Sequence, residues 1–195
     1  MEELANYFEN TPGAVLPGIT LLFIPALNPD GLALGRVNAG RFNGNGVDLN
    51  RNWGCNWQPT AYFQTEPVDP GAAPFSEPET LALAALINDT RPAAVLFYHS
   101  AANGIFAGNC NGSDISETLA AVLGQATGYS YSYPFGDYAI SGTASSWVDS
   151  IGIPSADVEL ANDETTEFER NLRGVMALQC WLAGVEAAVF PGCSR

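Results

Sequence analysis

Apolar and polar positions along the chain follow two rhythms, one of period near four and one of unbroken short runs. Met1-Glu2-Glu3-Leu4-Ala5-Asn6-Tyr7-Phe8 places Leu4, Tyr7 and Phe8 at i, i+3 and i+4, which predicts a helix. No capping residue precedes it, so the helix begins without the usual start signal. A turn-rich stretch, Asn10 to Gly18, leads into Ile19-Thr20-Leu21-Leu22-Phe23-Ile24, a run typical of a strand buried on both faces. Asn28-Pro29-Asp30-Gly31 stops it with a strong turn signal. From Leu32 to Phe75 periodicity is weak and Gly, Asn, Pro and aromatics dominate, which reads as a long, ordered functional loop. Ser76-Glu77-Pro78-Glu79 has the form of a capping box with proline near the start, and Leu81, Leu83, Leu86 and Ile87 continue the helix until Arg91-Pro92.

Ala93-Ala94-Val95-Leu96-Phe97-Tyr98 predicts a second buried strand that delivers His99 at its end. A helix follows from about Ser113 to Ala126, closed by Gly128, then a Tyr/Ser-alternating strand from Tyr129 to Tyr133. A glycine-punctuated loop, Pro134 to Gly142, precedes a short helix over Ala144 to Ser150 and the strand Ser155 to Leu160. The last helix is expected from about Thr165 to Val189. Buried strands alternating with helices imply an α/β fold with a largely parallel sheet. There is no internal repeat.

Composition narrows the function classes. The 195 residues suit one domain with a real core. Seven Lys+Arg against 21 Asp+Glu leave a net charge of −14, which argues against nucleic acid and against an anionic membrane surface. The longest apolar runs fall short of the ~18 residues that a spanning helix needs. Four cysteines without a CxxC pair favour two disulfides in a secreted protein over free thiols in a cytosolic one. No basic-then-apolar signal sequence opens the chain.

Ligands of open α/β sheets sit beyond the carboxyl ends of the strands. His99, the only histidine, stands there; it is either a hydrogen-bonded structural residue or a ligand. Strand alternation puts Asp157 and Glu159 on one face, where a carboxylate is costly unless paired, metal-bound or functional. Arg41-Phe42-Asn43-Gly44-Asn45-Gly46-Val47-Asp48-Leu49-Asn50-Arg51-Asn52-Trp53 interleaves two arginines with amides and glycines. Arginine forks bind carboxylates bidentately, so the stretch reads as an anion pocket, or else as an Arg–Asp structural network through Asp48.

Asn28-Pro29-Asp30-Gly31, Arg41-Phe42-Asn43, Gly46-Val47-Asp48-Leu49-Asn50-Arg51-Asn52-Trp53, Pro74-Phe75-Ser76-Glu77-Pro78-Glu79-Thr80 and Tyr98-His99-Ser100 together resemble the zinc carboxypeptidase family typified by carboxypeptidase A. The order and spacing agree from about Ile19 to Leu178. The resemblance implies a mixed, mostly parallel twisted sheet flanked by helices. It makes His99 a zinc ligand, Arg41 the group that polarises the scissile carbonyl, and Asn50 with Arg51 the clamp on the substrate's terminal carboxylate. It makes Glu159 the group that activates water and protonates the leaving amine, and Tyr138 the tyrosine closing over substrate. By the same resemblance Ser145 falls at the floor of the side-chain pocket; being uncharged, it gives no support for a strong Lys/Arg preference.

The family's other two zinc ligands come as an HxxE pair before the NPDG turn, and one histidine allows no such pair here. The expectation is therefore a single incomplete metallocarboxypeptidase-like catalytic domain over residues 1–195, its HxxE and first strands lying upstream of Met1. Its implied cofactor is Zn(2+) and its implied partner a peptide with a free C-terminal carboxylate, met as a secreted monomer. Two other readings stand beside it: an amidase of cell-wall peptides from the same family, and a non-catalytic domain binding peptide carboxylates.

Overall fold

A computed structural model describes residues 1–35, 37–110, 112, 114–131, 140–185 and 193. The chain opens with α1 (Glu2–Asn10), whose N-cap Met1 makes no side-chain capping bond, as its sequence leads one to expect. Residues 19–24 depart from expectation: among the described residues they pair with no strand. Leu21 and Phe23 pack on Leu4, Phe8 and Val175, whereas Leu22 is 67% and Ile24 38% exposed. An apolar run becomes a buried strand only when a ladder neighbour and cover on both faces are supplied; here one row of side chains is covered and the other is not.

The turn at Asn28 becomes α2 (Pro29–Leu34), with the Asn28 side chain accepting from Gly31 N–H at 2.9 Å. The long loop hides a small antiparallel hairpin, β1 (Ala61–Phe63) and β2 (Glu66–Val68), too short for periodicity to reveal. Next comes α3 (Pro78–Thr90), with Pro78 at its first turn and Glu77 as N-cap. Ser76 is not the cap, because its hydroxyl donates to Glu77 and accepts from Asn52. Arg91 ends the helix in the left-handed region.

The larger sheet consists of β3 (Val95–Ser100), β4 (Gly104–Ala107) and, beyond α4 (Asp114–Thr127) and α5 (Ala144–Ser150), β5 (Ser155–Leu160). Its order is β3-β5-β4, with β3 parallel and β4 antiparallel to β5, so the sheet is mixed. β3 is only half-buried because, among the described residues, β5 is its sole strand neighbour. β4 has no counterpart among the elements expected from the sequence; its glycine and its short length mask it. Of the expected strand 129–133, Ser130 makes a single bridge to Gly104 and residues 132 and 133 lie outside the described set. α6 (Phe168–Ala183) is shorter than expected, because Gly184 closes it with a left-handed cap.

Period-two alternation sorts the sheet residues onto two faces. Leu96, Tyr98, Ala156 and Val158 pack with Leu119, Leu123 and Leu178 of α4 and α6. Val95 and Phe97 point the other way, into a cluster with Trp53, Ile87, Trp147 and Val148. His99, Asp157 and Glu159 share the parity of that second face, which is how a core strand comes to display three ionisable groups together. Disulfides join Cys55 to Cys110 and Cys180 to Cys193, with Cα separations of 6.0 and 5.6 Å.

Candidate active site

The parallel register of β3 and β5 sets His99 beside Glu159 and Phe97 beside Asp157. These groups form one wall of a cleft of about 800 Å³, and the loop carrying Arg41, Asp48, Asn50 and Arg51 forms the facing wall. The N-terminal turn of α5, with Ser145, closes the end between them. Of the residues singled out in the sequence, His99, Glu159, Arg41, Asn50, Arg51 and Ser145 all line this cleft. Tyr138 lies outside the described residues.

The facing wall is built on aromatic and polar anchors. Trp53 is buried against Trp147, Phe75 and Phe97, with ring centroids 5.2, 5.7 and 6.2 Å away. Trp53 N–H donates to Gly142 O at 3.1 Å, tying this loop to the segment that leads into α5. Asp48, 2% exposed, spends its two oxygens on two site residues. Its Oδ2 takes Arg41 Nε and Nη2, both at 2.7 Å, and its Oδ1 takes Asn50 N–H at 3.1 Å. The Arg–Asp network is therefore real, and it holds Arg41 in the cleft with its guanidinium 3.8 Å from the centre of the Phe63 ring.

Asn50 Oδ1 accepts from Ala144 N–H at 3.0 Å, which leaves the carboxamide nitrogen as its donor end. Arg51 is 3% exposed. Its Nε and Nη2 donate to Tyr62 O at 3.1 and 3.0 Å, and Nη1 donates to Asn50 O at 2.7 Å. A guanidinium fixed by carbonyls keeps its orientation and its full charge, which suits a binding role.

On the sheet wall, Glu159 is 8% exposed and its Oε2 accepts from Ala102 N–H at 3.2 Å. Burial pushes its carboxyl above the ordinary range, against the opposing pull of His99. A raised carboxyl is suited to taking and returning a proton. Burial alone would lower the His99 imidazole, but Asp157 and Glu159 outweigh it and the net direction is upward. His99 Nε2 stands 3.4 Å from Asp157 Oδ1, close enough for ion pairing but without hydrogen-bond alignment; both atoms are buried and lack a hydrogen-bond partner. Asp157 Oδ2 accepts from Ser145 Oγ at 2.6 Å. Sequence reasoning passed over this link; the shared parity of Asp157 and Glu159 was its only trace.

A family model described as zinc carboxypeptidase matches residues 1–172. The chain belongs to the zinc carboxypeptidase family. Murein peptide amidase A of Escherichia coli (strain K12) is 42% identical over 83 residues, which cover 37% of this chain and 33% of that relative. The chain thus spans about a third of that curated relative's length. The crystal structure of murein-tripeptide amidase MpaA from Escherichia coli O157 superposes with a TM-score of 0.56 at 29% identity, over 80% of this chain and 65% of that one. Carboxypeptidase A from Helicoverpa armigera superposes with a TM-score of 0.60 at 26% identity, over 86% of this chain and 51% of the other. The mixed α/β fold of this zinc carboxypeptidase relative accords with those structures.

The family implies zinc, and catalytic zinc takes three protein ligands with an open fourth position. Among the described residues no three His, Cys, Asp or Glu side chains gather as a metal site. The chain has one histidine, and all four cysteines are in disulfides. The described residues do not complete a zinc site.

Proposed function

We infer that this chain holds peptides by a free terminal carboxylate and supplies the proton-transfer and oxyanion groups for hydrolysis of the terminal peptide bond. The observation that carries the reading is the convergence of Arg41, Asn50, Arg51 and Glu159 on one cleft. A pure binder has use for the Asn50–Arg51 pair but none for a buried carboxyl that burial pushes above its ordinary value, in the same cleft as a fixed arginine. Asn50 and Arg51 bind the carboxylate; Arg41, locked by Asp48, faces the carbonyl oxygen as negative charge develops on it. Glu159 takes a proton from the attacking water and returns it to the leaving amine. Because the described donors do not complete a zinc site, we propose that the 195 residues form a single, incomplete catalytic domain. The two disulfides support an extracellular or otherwise oxidising setting.

A second reading, trimming of cell-wall peptides, is favoured by the likeness to murein peptide amidase A. It shares every step above and differs in the peptide. Calorimetric titration with matched peptides bearing a free or an amidated C-terminus tests the common core. The free acid should bind about tenfold or more tighter, since a charge-assisted fork is lost on amidation. Equal affinities overturn the assignment of the anion pocket. Where hydrolysis is measurable, Glu159→Gln should lower turnover ~10²-fold or more while leaving peptide affinity intact. Unchanged turnover removes Glu159 from the mechanism.

A further inference from the structure

Among the described residues the Glu159 carboxylate accepts one hydrogen bond, from Ala102 N–H at 3.2 Å. That donor lies in the turn between β3 and β4, so the aim of the carboxylate depends on where the turn sits relative to the end of β5. Both are gripped from outside the cleft by Glu167, the N-cap of α6, and Arg170 in its first turn. Glu167 Oε2 accepts from Ala161 N–H at 2.7 Å and from the Tyr129 hydroxyl at 2.9 Å, and its Oε1 accepts from Arg170 Nη1 at 2.9 Å. Arg170 Nε and Nη2 donate to Thr127 O and Gly128 O at 2.9 and 2.8 Å, with the guanidinium 3.4 Å from the centre of the Tyr129 ring. Its Nη1 also reaches Asn103 Oδ1 at 3.4 Å, and Asn103 N–H donates to Leu160 O at 3.0 Å. Asn103 and Glu167 have φ of 50° and 47°, a region non-glycine residues keep where their surroundings over-determine them. Neither Glu167 nor Arg170 lines the cleft.

We propose that Glu167 is a positioning residue for Glu159, fixing the end of β5 directly and, with Arg170, the turn that supplies Ala102 N–H. This rests on the role of Glu159 assigned above. The backbone just beyond Glu159 is tied at Leu160 O to Asn103 and at Ala161 N–H to Glu167. Both partners of the bond between Glu159 and Ala102 are therefore set by one carboxylate outside the cleft. Bonds to an ionised acceptor are short and directional, so they hold a turn against sliding better than packing does. The precision matters because a misplacement of about 1 Å, caused far from the chemistry, can cost ~10²-fold in rate.

The experiment follows the Ala102 amide-proton resonance in the 195-residue protein, with Glu159→Ala defining its position once the acceptor is gone. Glu167→Ala should carry the resonance most of the way to that position. Glu167→Gln, which keeps an acceptor for Ala161 N–H, should restore most of the parent shift. Ile87→Ala, a deletion of buried apolar bulk in α3, should leave the resonance in place and so separates positioning from a general loss of stability. If Glu167→Ala loses its fold by circular dichroism, Arg170→Lys carries the test. A lysine keeps the charge beside Glu167 but cannot serve Asn103, Thr127 and Gly128 together, so the resonance should move in the same direction. Where hydrolysis is measurable, Glu167→Ala should lower kcat about tenfold or more with KM unchanged, because the carboxylate clamp lies on the facing wall. An Ala102 resonance that stays put in Glu167→Ala, or that moves as far in Ile87→Ala, overturns the proposal. Unchanged turnover in Glu159→Gln removes the reading on which it rests, whereas an unmoved Ala102 resonance removes this inference alone.

Discussion

The two sides of the sheet are held together by different physics. Beneath it, α4 and α6 close on β4 and β5 through Ile105, Leu119, Leu123, Val158 and Leu178, an apolar cluster with no fixed pairing. Above it, the loop from Arg41 to Glu77 adds to the packing of Trp53 and the Cys55–Cys110 disulfide a dense set of directed hydrogen bonds. Asn52 is the clearest case: its Nδ2 donates to Pro70 O, Ala73 O and Ser76 Oγ at 2.7, 3.0 and 3.0 Å, and its Oδ1 accepts from Thr80 Oγ1 at 2.7 Å. Apolar packing fixes where elements lie and tolerates shape-preserving change; a network of directed bonds fixes side chains within fractions of an ångström. The cleft draws its floor from the first kind of structure and its recognition groups from the second.

The sharpest separation comes from one deletion on each side. Leu123→Ala, beneath the sheet, should cost about 3 kcal/mol of stability in urea unfolding and leave peptide affinity of the folded protein unchanged. Asn52→Ala should cost less, about 2 kcal/mol, yet weaken binding of free-acid peptides several-fold, because the loop carrying Asn50 and Arg51 loses its anchor. If both variants weaken binding equally, the two sides are not independent and the contrast collapses.

Acid should act on both regions through carboxylates, and its effect is the smallest of the three. Burial alone would raise Glu77 and Glu167, but donors outweigh it and both lie below the ordinary range. Asn43, Asn45 and Ser76 surround Glu77; Ala161 N–H, Arg170 and Tyr129 surround Glu167. A carboxyl depressed in the fold contributes stability that is fully present above its unfolded value, near 4.3, and is lost as pH falls through the folded value. The urea midpoint should therefore decline from about pH 5 downward, and Glu167→Gln should flatten part of that decline. A midpoint indifferent to acid would remove both networks from the account of stability.

The same contrast decides what the sequence made legible. β5 and α5 fall at their expected residues, and α3 and α4 lie within two residues of theirs, because a covered face imposes a period on the chain. Residues 19–24 carry an apolar run but lack the ladder partner that would make them a strand, a fact no local pattern contains. β1, β2 and β4 are three or four residues long, below what periodicity can detect. In the cleft, residue types and spacing pointed to His99, Arg41, Asn50, Arg51 and Glu159, and the family resemblance added Ser145; the fold gathers all six on one cleft. The Asp157 link to Ser145 and His99 joins positions 12 and 58 residues apart, so it exists only in three dimensions.

Asp48 carries a consequence for how such a site can change over generations. One buried carboxylate steadies the arginine at one end of the cleft and, through its other oxygen, the asparagine turn at the other. A mutation at position 48 is therefore pleiotropic, since it disturbs the side chain of Arg41 and the backbone at Asn50 at once. A change at Arg41 removes the cationic partner of Asp48, whereas a substitution at Asn50 keeps the backbone N–H that Asp48 accepts from. The α5 end of the cleft is tied differently: Ser145 Oγ donates to Asp157, whose other oxygen faces His99, so substitutions there leave the bonds of Asp48 intact.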